Sequence, residues 1–371
     1  MEITLAAGDF ATAIGLVKGV VPSRTTIPIL SNVMIDTSSG KLCITGTCLD
    51  MEASIFEPAE IITHGKITVP GHVLFGLVKS LPKTKLVTLK IKDGSDRVVL
   101  TCGKSVYELG ALPVDDFPIM EGVSGDGKVS ITIAASVLKS ALAATRNCAS
   151  DEETRYYLKG VHVTQEDSRL TFVATDGFRL VRIVTDVVQS SEMPHVIIPS
   201  DAVQNILSII DGIAGDVTMT MDGLKIEVVA GSVRLVSRLI AGTYPDYGRV
   251  IPRYNSDPSF TAKSSDMADA IGRLSTIVMG NDKINPAAKI ATNGTAIDVS
   301  LRGMNQGTET IDAEIGSKTE FGANVKFLSE MIGLWPSSAI LKFTAPDAGS
   351  PILIMSDDAP HQTQVIMPMK V

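Results

Sequence analysis

Three stretches of this chain carry apolar residues at one and the same helical spacing. Phe10, Ile14, Val17 and Val21 are separated by steps of four, three and four. Leu138, Leu142, Thr145 and Ala149 repeat those steps 128 positions later, and Met267, Ile271, Leu274 and Val278 repeat them 129 positions after that. Such steps set side chains along one stripe of a helix, so each quartet predicts an amphipathic α-helix. A period of this length predicts a repeated domain, which constrains the fold before any other feature does.

More of the unit recurs in the same order. A short strand pattern precedes each helix: Ile3-Thr4-Leu5, Ile131-Thr132-Ile133 and Phe260-Thr261-Ala262. Alternating runs follow at Leu42, Ile44, Gly46-Thr47 and at Leu170, Phe172, Ala174-Thr175, the period-two signature of a half-buried strand. A second helix is predicted in each copy, from Leu74, Leu77, Val78, Leu81, from Val203, Ile206, Leu207, Ile210, and from Leu328, Met331, Ile332, Trp335. Pro70 and Pro199 stand just ahead of the first two, where proline suits a helix start.

The 371 residues divide into three units of ordinary domain size, about 100–150 residues each. The expected domains are 1–120, 129–248 and 258–371, joined by the polar, turn-rich stretches 118–128 and 248–259. Hydrophobic residues make up 44% and charged residues 20%, enough to build a core and too apolar for disorder. No apolar run is long enough to span a bilayer, and the N-terminus lacks a signal pattern. A soluble, cytoplasmic protein with no membrane partner is expected.

Candidate chemistry is thin. The four cysteines form no CxxC pair and have no histidine at metal-ligand spacing, so no metal or other cofactor is expected. The five histidines belong to no nucleophile elbow, HExxH or triad pattern, and no phosphate-binding glycine loop follows a strand. Asp50-Met51-Glu52 and Asp115-Asp116 are paired acids beside turn residues, expected as solvated loop ends rather than acid–base pairs. No catalytic residues are proposed.

Four ordered motifs carry more information: Arg155-Tyr156-Tyr157-Leu158-Lys159-Gly160, Ala174-Thr175-Asp176-Gly177-Phe178-Arg179-Leu180, Tyr244-Pro245-Asp246-Tyr247, and the closing Val365-Ile366-Met367-Pro368-Met369-Lys370-Val371. With the threefold repeat, they make the whole chain resemble the bacterial beta sliding clamps, the beta subunits of DNA polymerase III. The resemblance implies an α+β fold of three tandem clamp-type domains, each with two helices packed on antiparallel sheets. It further implies a head-to-tail homodimeric ring that encircles double-stranded DNA without sequence specificity. Such a ring is implied to act as a non-catalytic processivity factor in DNA replication. The polymerase catalytic subunit, the clamp loader and repair proteins are its implied partners, held through short apolar peptide motifs. On the residues alone, a DNA-independent peptide-binding scaffold and an enzyme on a repeated-domain fold stay open as alternatives.

The formal net charge of −8, from 33 basic and 41 acidic residues, opposes tight binding through phosphates. A closed ring escapes that limit, because topology rather than affinity keeps it on DNA. DNA-facing candidates are Lys18, Arg24, Lys79, Lys139, Arg146, Lys263 and Arg273, on or beside the helices, with solvated helix faces as the alternative. Residues 201–211 contain no Lys or Arg and cannot contribute. Tyr156 and Tyr157 match a family tyrosine pair beside a DNA-touching loop. Here that loop is acidic, Asp151-Glu152-Glu153-Thr154.

The family's partner-peptide pocket maps onto Arg155, Leu158, Thr175, Gly177, Phe178, Arg179, Leu180, Pro245, Arg249, Val250, Asn324, Phe327, Val365, Met367, Pro368 and Met369. Phe178 stands where many relatives carry histidine, and Lys370-Val371 replaces a commoner arginine–leucine ending. Thioethers adapt to varied ligands, which suits partners that exchange. For the dimer, the resemblance sets Tyr107 and Leu109, on an edge strand of the first copy, against Ile277 and Val278 of the third. Lys104 would face acids among Glu309, Asp312 and Glu314.

Overall fold

The three repeated quartets fall on helices. In the computed structural model these are α1 (Ala7–Lys18), α3 (Ala135–Arg146) and α5 (Ser264–Val278), and the second helices are α2 (Gly71–Ser80), α4 (Ser200–Ile210) and α6 (Val325–Ile332). The structure describes every residue except 93–95, 190, 255–256, 279–286 and 303–304, and leaves out the side chain of Val278. Phe10, Ile14, Val17, Leu138, Leu142, Thr145, Met267, Ile271 and Leu274 are all buried, so the shared stripe is a core stripe. Val21 and Ala149 lie past the ends of their helices. The predicted stripe therefore runs three residues past the ends of α1 and α3, so the last member of each of those quartets is outside its helix.

The helix starts also recur, with different chemistry. Pro70 and Pro199 each end a strand and occupy the N-cap of α2 and α4. In the third copy Asn324 holds that place, and its Oδ1 accepts the N–H groups of Lys326 (3.0 Å) and Phe327 (3.3 Å). A capping asparagine satisfies two of the orphan donors of a helix start.

The chain divides into two compact units, 1–139 with 198–240, and 140–197 with 241–371. This division cuts the second sequence repeat, because strands from different repeats share a sheet. In the first unit an eight-stranded antiparallel sheet runs Val129–Ala134, Asp216–Met221, Lys225–Ala230, Val233–Arg238, Met51–Glu57, Leu42–Thr47, Asn32–Asp36, Lys66–Pro70. The joint is the pairing of Val233–Arg238 with Met51–Glu57. A five-stranded sheet, Glu60–Thr63, Glu2–Ala6, Leu86–Ile91, Arg97–Cys102, Ser105–Gly110, completes that unit.

The second unit repeats the plan. Its nine-stranded sheet runs Val196–Pro199, Gly160–Glu166, Arg169–Thr175, Arg179–Val188, Gln362–Ile366, Ile352–Met355, Ile340–Thr344, Phe260–Lys263, Glu314–Ile315. Its joint pairs Arg179–Val188 with Gln362–Ile366. A four-stranded sheet runs Gly307–Asp312, Ala296–Leu301, Ala287–Asn293, Glu320–Asn324. Helix α1 packs on α2 in one unit, and α5 packs on α6 in the other.

One sequence expectation fails at the first joint. Glu52 is not a solvated loop end: it lies in the strand Met51–Glu57 and is 3% exposed. Its carboxylate accepts the Met120 N–H at 2.7 Å and faces Arg234 Nη1 at 3.4 Å, which pins the segment after residue 118 to the sheet. Burial pushes its acidity weaker, and the two partners oppose that shift. Asp115 and Asp116 are exposed, as expected. The cysteines are free and buried or half-buried, and burial pushes the Cys148 thiol up to about 12.

Candidate functional site

A five-residue turn between Arg169–Thr175 and Arg179–Val188 organises the predicted cleft. Thr175 Oγ1 donates to the Arg179 carbonyl at 2.6 Å and accepts the Gly177 N–H at 3.1 Å. Asp176 Oδ1 accepts the N–H groups of Phe178 (2.9 Å) and Arg179 (3.0 Å). Gly177 sits at φ +90°, and a Cβ there would lie 2.5 Å from Arg155 Nη1. The turn thus needs glycine for its backbone and for the approach of Arg155. Arg155 is in turn held by a bidentate pair with Glu152, at 2.8 and 2.6 Å.

The turn sends successive side chains opposite ways. Phe178 points out and is 55% exposed, whereas Arg179 is 8% exposed. The Arg179 guanidinium bonds Asp176, Glu330 and the Asn147 carbonyl, and lies 4.3 Å from the centre of the Phe327 ring. Its work is to fix Phe327, whose ring stacks near Phe178 at 6.5 Å. Asn324, one turn earlier, caps the helix that carries Phe327.

The C-terminal segment closes one side. Met367 N–H donates to the Phe178 carbonyl, and Met369 N–H to the Gly322 carbonyl, both at 2.8 Å. A Cβ on Gly322 would meet the Met369 oxygen at 2.3 Å. Leu158, Leu180 and Val365 are buried. Phe178 and Met367 stay open to solvent, and Pro368 and Met369 are half-buried.

Pro245, Arg249 and Val250 are all exposed. Arg249 pairs with Asp246 at 2.9 Å, and Pro245 lines a cavity of about 570 Å³ with His162, Glu166, Arg182, His195 and Tyr247. The imidazole of His162 stacks on Tyr244 at 4.5 Å and next to His195 at 6.0 Å. Tyr244 Oη accepts the Thr175 N–H at 3.0 Å, tying this column to the turn. Burial pulls the His162 imidazole down to about 4. Sequence reasoning missed the column. Its only signal was the Tyr244-Pro245-Asp246-Tyr247 motif, since the stacking histidines are distant in sequence.

The basic residues on the helices differ in their partners. Lys139 pairs with Asp211 at 2.6 Å, and Arg273 makes a bidentate pair with Glu309 at 3.0 and 2.7 Å. Lys18 and Lys79 instead lie over the Phe75 ring, 4.5 and 5.5 Å from its centre. Arg24, Lys79 and Lys263 are exposed and Arg146 is half-buried. Tyr156 and Tyr157 belong to a 3-10 segment, Glu153–Leu158, rather than a strand, with their rings edge to face at 5.6 Å. Tyr156 is 52% exposed, so it is not a core residue. In the same segment Glu152 and Glu153 are bonded to Arg155 and Lys159.

Comparison with known proteins matches residues 1–121 to the N-terminal domain and 132–246 to the central domain of the DNA polymerase III beta subunit. The beta sliding clamp of Caulobacter vibrioides is 32% identical over 380 residues, covering all of both chains. The chain belongs to the beta sliding clamp family. The Escherichia coli K12 clamp is 26% identical over 377 residues, again covering both chains fully. Among solved structures, a C. crescentus beta sliding clamp superposes with TM-score 0.92 at 31% identity, over 100% of this chain and 99% of that one. A Bartonella birtlesii sliding clamp bound to griselimycin gives TM-score 0.91 at 32% identity over the whole of both chains. The fold is thus that of clamp-type domains, with helices on antiparallel sheets, and the family is a non-catalytic DNA polymerase III subunit. Among the described residues no helix is long and apolar enough to cross a membrane.

Among the described residues, Ser105–Gly110 and Gly307–Asp312 each end a sheet of this clamp, as one of its two terminal strands. On the first, Leu109 is buried in its own sheet and Tyr107 is half-buried on the same face. Val106 is 62% exposed. Ile277 is half-buried beside Gly307, where a Cβ would come within 3.1 Å of its Cδ1. The side chain of Val278 lies outside the described residues. Lys104 is exposed in the hairpin turn before the edge strand, as is Asp312. Glu309 already holds Arg273, and Glu314 accepts from Thr261 Oγ1 at 3.4 Å, which leaves Asp312 the freer of the three acids.

Proposed function

We propose that this sliding clamp closes as a head-to-tail homodimeric ring around duplex DNA and works as a replication processivity factor in the cytoplasm. One observation carries the ring. Each long sheet joins a half-sheet of one repeat to a half-sheet of the next, through Val233–Arg238 with Met51–Glu57 and through Gln362–Ile366 with Arg179–Val188. The strands in the equivalent terminal positions of the remaining half-sheets are Ser105–Gly110 and Gly307–Asp312, and among the described residues both end their sheets. Pairing Ser105–Gly110 with Gly307–Asp312 of the partner subunit would form the third joint twice over. A heterologous contact whose rotation closes gives a ring, and it removes two aggregation-prone edges.

The cleft around Phe178, Phe327 and Met367 is the proposed docking site for polymerase, clamp-loader and repair-protein peptides. Each buried apolar anchor contributes about 1.5–3 kcal/mol before ordering costs, which gives affinities suited to exchange. Support comes from relatives, one solved with griselimycin and one with PEG at a candidate beta-motif tethering region. Tethering turns polymerase rebinding into a local event at high effective concentration.

The test is retention on DNA in high salt after loading by a clamp loader with ATP. Nicked circles are compared with the same DNA cut to linear form. Retention on circles with loss from linear ends is expected. Equal loss from both, with loading verified by a known clamp, removes the ring and leaves a peptide-binding scaffold.

A further inference from the structure

We infer that Phe75 is a positioning residue for DNA contact, holding Lys18 and Lys79 as one paired cation site for phosphodiester oxygens. The inference rests on the proposal that the helices face encircled DNA. Its ground is the contrast among the repeats. The first helices of the second and third copies carry Lys139 and Arg273, both paired with carboxylates, Asp211 and Glu309, and α3 ends on Arg146, which has neither a carboxylate nor a ring partner among the described residues. Those exposed ion pairs lower, without abolishing, the positive potential that a phosphate would meet. In the first copy the organising partner is an uncharged ring. Lys18 and Lys79 lie over Phe75, and among the described residues neither belongs to an ion pair.

The local geometry explains how one ring serves both lysines. Phe75 and Lys79 are four residues apart on α2, so they share a helix face. Lys18 comes from the last turn of α1. Gly15 lets the ring lie on α1, since a Cβ there would stand 3.2 Å from Phe75 Cε2. The ring borders a groove of about 590 Å³ lined by Gly8, Ala11, Thr12, Gly15 and Lys79. Two ammonium groups over one ring repel each other, and the negative ring face offsets that repulsion. The ring holds both ammonium groups in place before DNA arrives, while their charges remain available to phosphate. An aromatic partner orders a lysine without cancelling it. A carboxylate does both.

The test uses the full-length protein and a fluorescent duplex, with affinity measured against salt concentration. Each lost phosphate contact lowers the slope of log K against log salt by about 0.9. Lys18→Ala with Lys79→Ala is expected to lower the slope by about 1–2 and weaken binding roughly tenfold at low salt. Phe75→Leu, which keeps an apolar side chain without a ring, should weaken binding several-fold. Phe75→Trp should restore it, an outcome that simple packing does not require. Lys139→Ala and Arg273→Ala should change affinity less than twofold. The inference falls if Phe75→Leu and Phe75→Trp behave alike, if Lys139→Ala matches the double variant, or if the wild-type protein shows no salt-dependent binding. Retention on nicked circles is measured in parallel. Loss of retention by the wild type removes the clamp proposal itself, whereas normal retention with an inert Phe75→Leu removes only this inference.

Discussion

Gly177 and Leu49 occupy the same point of one turn in successive copies. Thr47 Oγ1 donates to the Met51 carbonyl at 3.0 Å and accepts the Leu49 N–H at 3.2 Å, repeating the bonds of Thr175. Leu49 lies at φ +78° and Gly177 at +90°, so the turn imposes a left-handed residue on both. A leucine tolerates that conformation at a cost of about 1–2 kcal/mol. At residue 177 the additional demand is space for Arg155. Gly177→Ala is expected to destabilise the protein by about 1–3 kcal/mol and to raise the dissociation constant of an apolar clamp-binding peptide several-fold. Chemical denaturation and peptide anisotropy check both, and an unchanged midpoint would mean that Arg155 moves aside freely. The repeated Thr47 and Thr175 were legible in the sequence as matched ends of alternating runs. The strain at Leu49 was not, because φ follows from the bonds on either side of it.

Helices were the most legible elements, since the three-and-four spacing of Phe10, Ile14 and Val17 is also the geometry of burial. Sheet joints were not legible. Val233–Arg238 pairs with a strand some 180 residues earlier, and alternation within a strand is silent about its neighbour. Alternation is equally silent about faces: Leu109 and its neighbours Val106 and Glu108 fit either face until the sheet forms, and Leu109 is then the buried one. The terminal strand Ser105–Gly110 carries the dimer proposal, and Val106 is its exposed apolar residue. Val106→Lys adds a cation beside Lys104 and is expected to raise the dimer dissociation constant about tenfold, or roughly 1.4 kcal/mol. Sedimentation equilibrium measures this. An unchanged constant would move the interface to another strand.

Acid acts on the second unit through a buried histidine. His162, 6% exposed in the second unit, has its imidazole held down to about 4 by burial and by the neighbouring His195, with Glu166 opposing the shift. Above pH 6.5 the side chain is neutral in folded and unfolded chains alike. Between 6.5 and about 4 the unfolded chain takes up a proton that the folded one refuses, so stability falls as pH falls. The full loss is on the order of 3 kcal/mol, complete once the folded group also protonates. Carboxylates held low, such as Glu166 beside Arg182, add to the loss only below about 4.5. Trp335 is the only tryptophan and lies in the second unit, so its fluorescence follows that unit alone. The urea midpoint it reports should drop between pH 7 and 4.5, and His162→Phe should flatten the drop. Equal slopes for both proteins would assign the acid sensitivity to carboxylates.

Spacing, repetition and the closing motifs determined by themselves that this chain repeats one helix-and-sheet unit three times and belongs with the clamps. Periodicity is a local property, and each copy states it independently. Tertiary structure alone decided which half-sheets join, which strands end a sheet, and which cations are paired with a carboxylate. Lys18 and Lys139 look alike in sequence, and only the fold sets one over an aromatic ring and the other against a carboxylate. Those outcomes depend on residues far apart in the chain, where no spacing rule reaches.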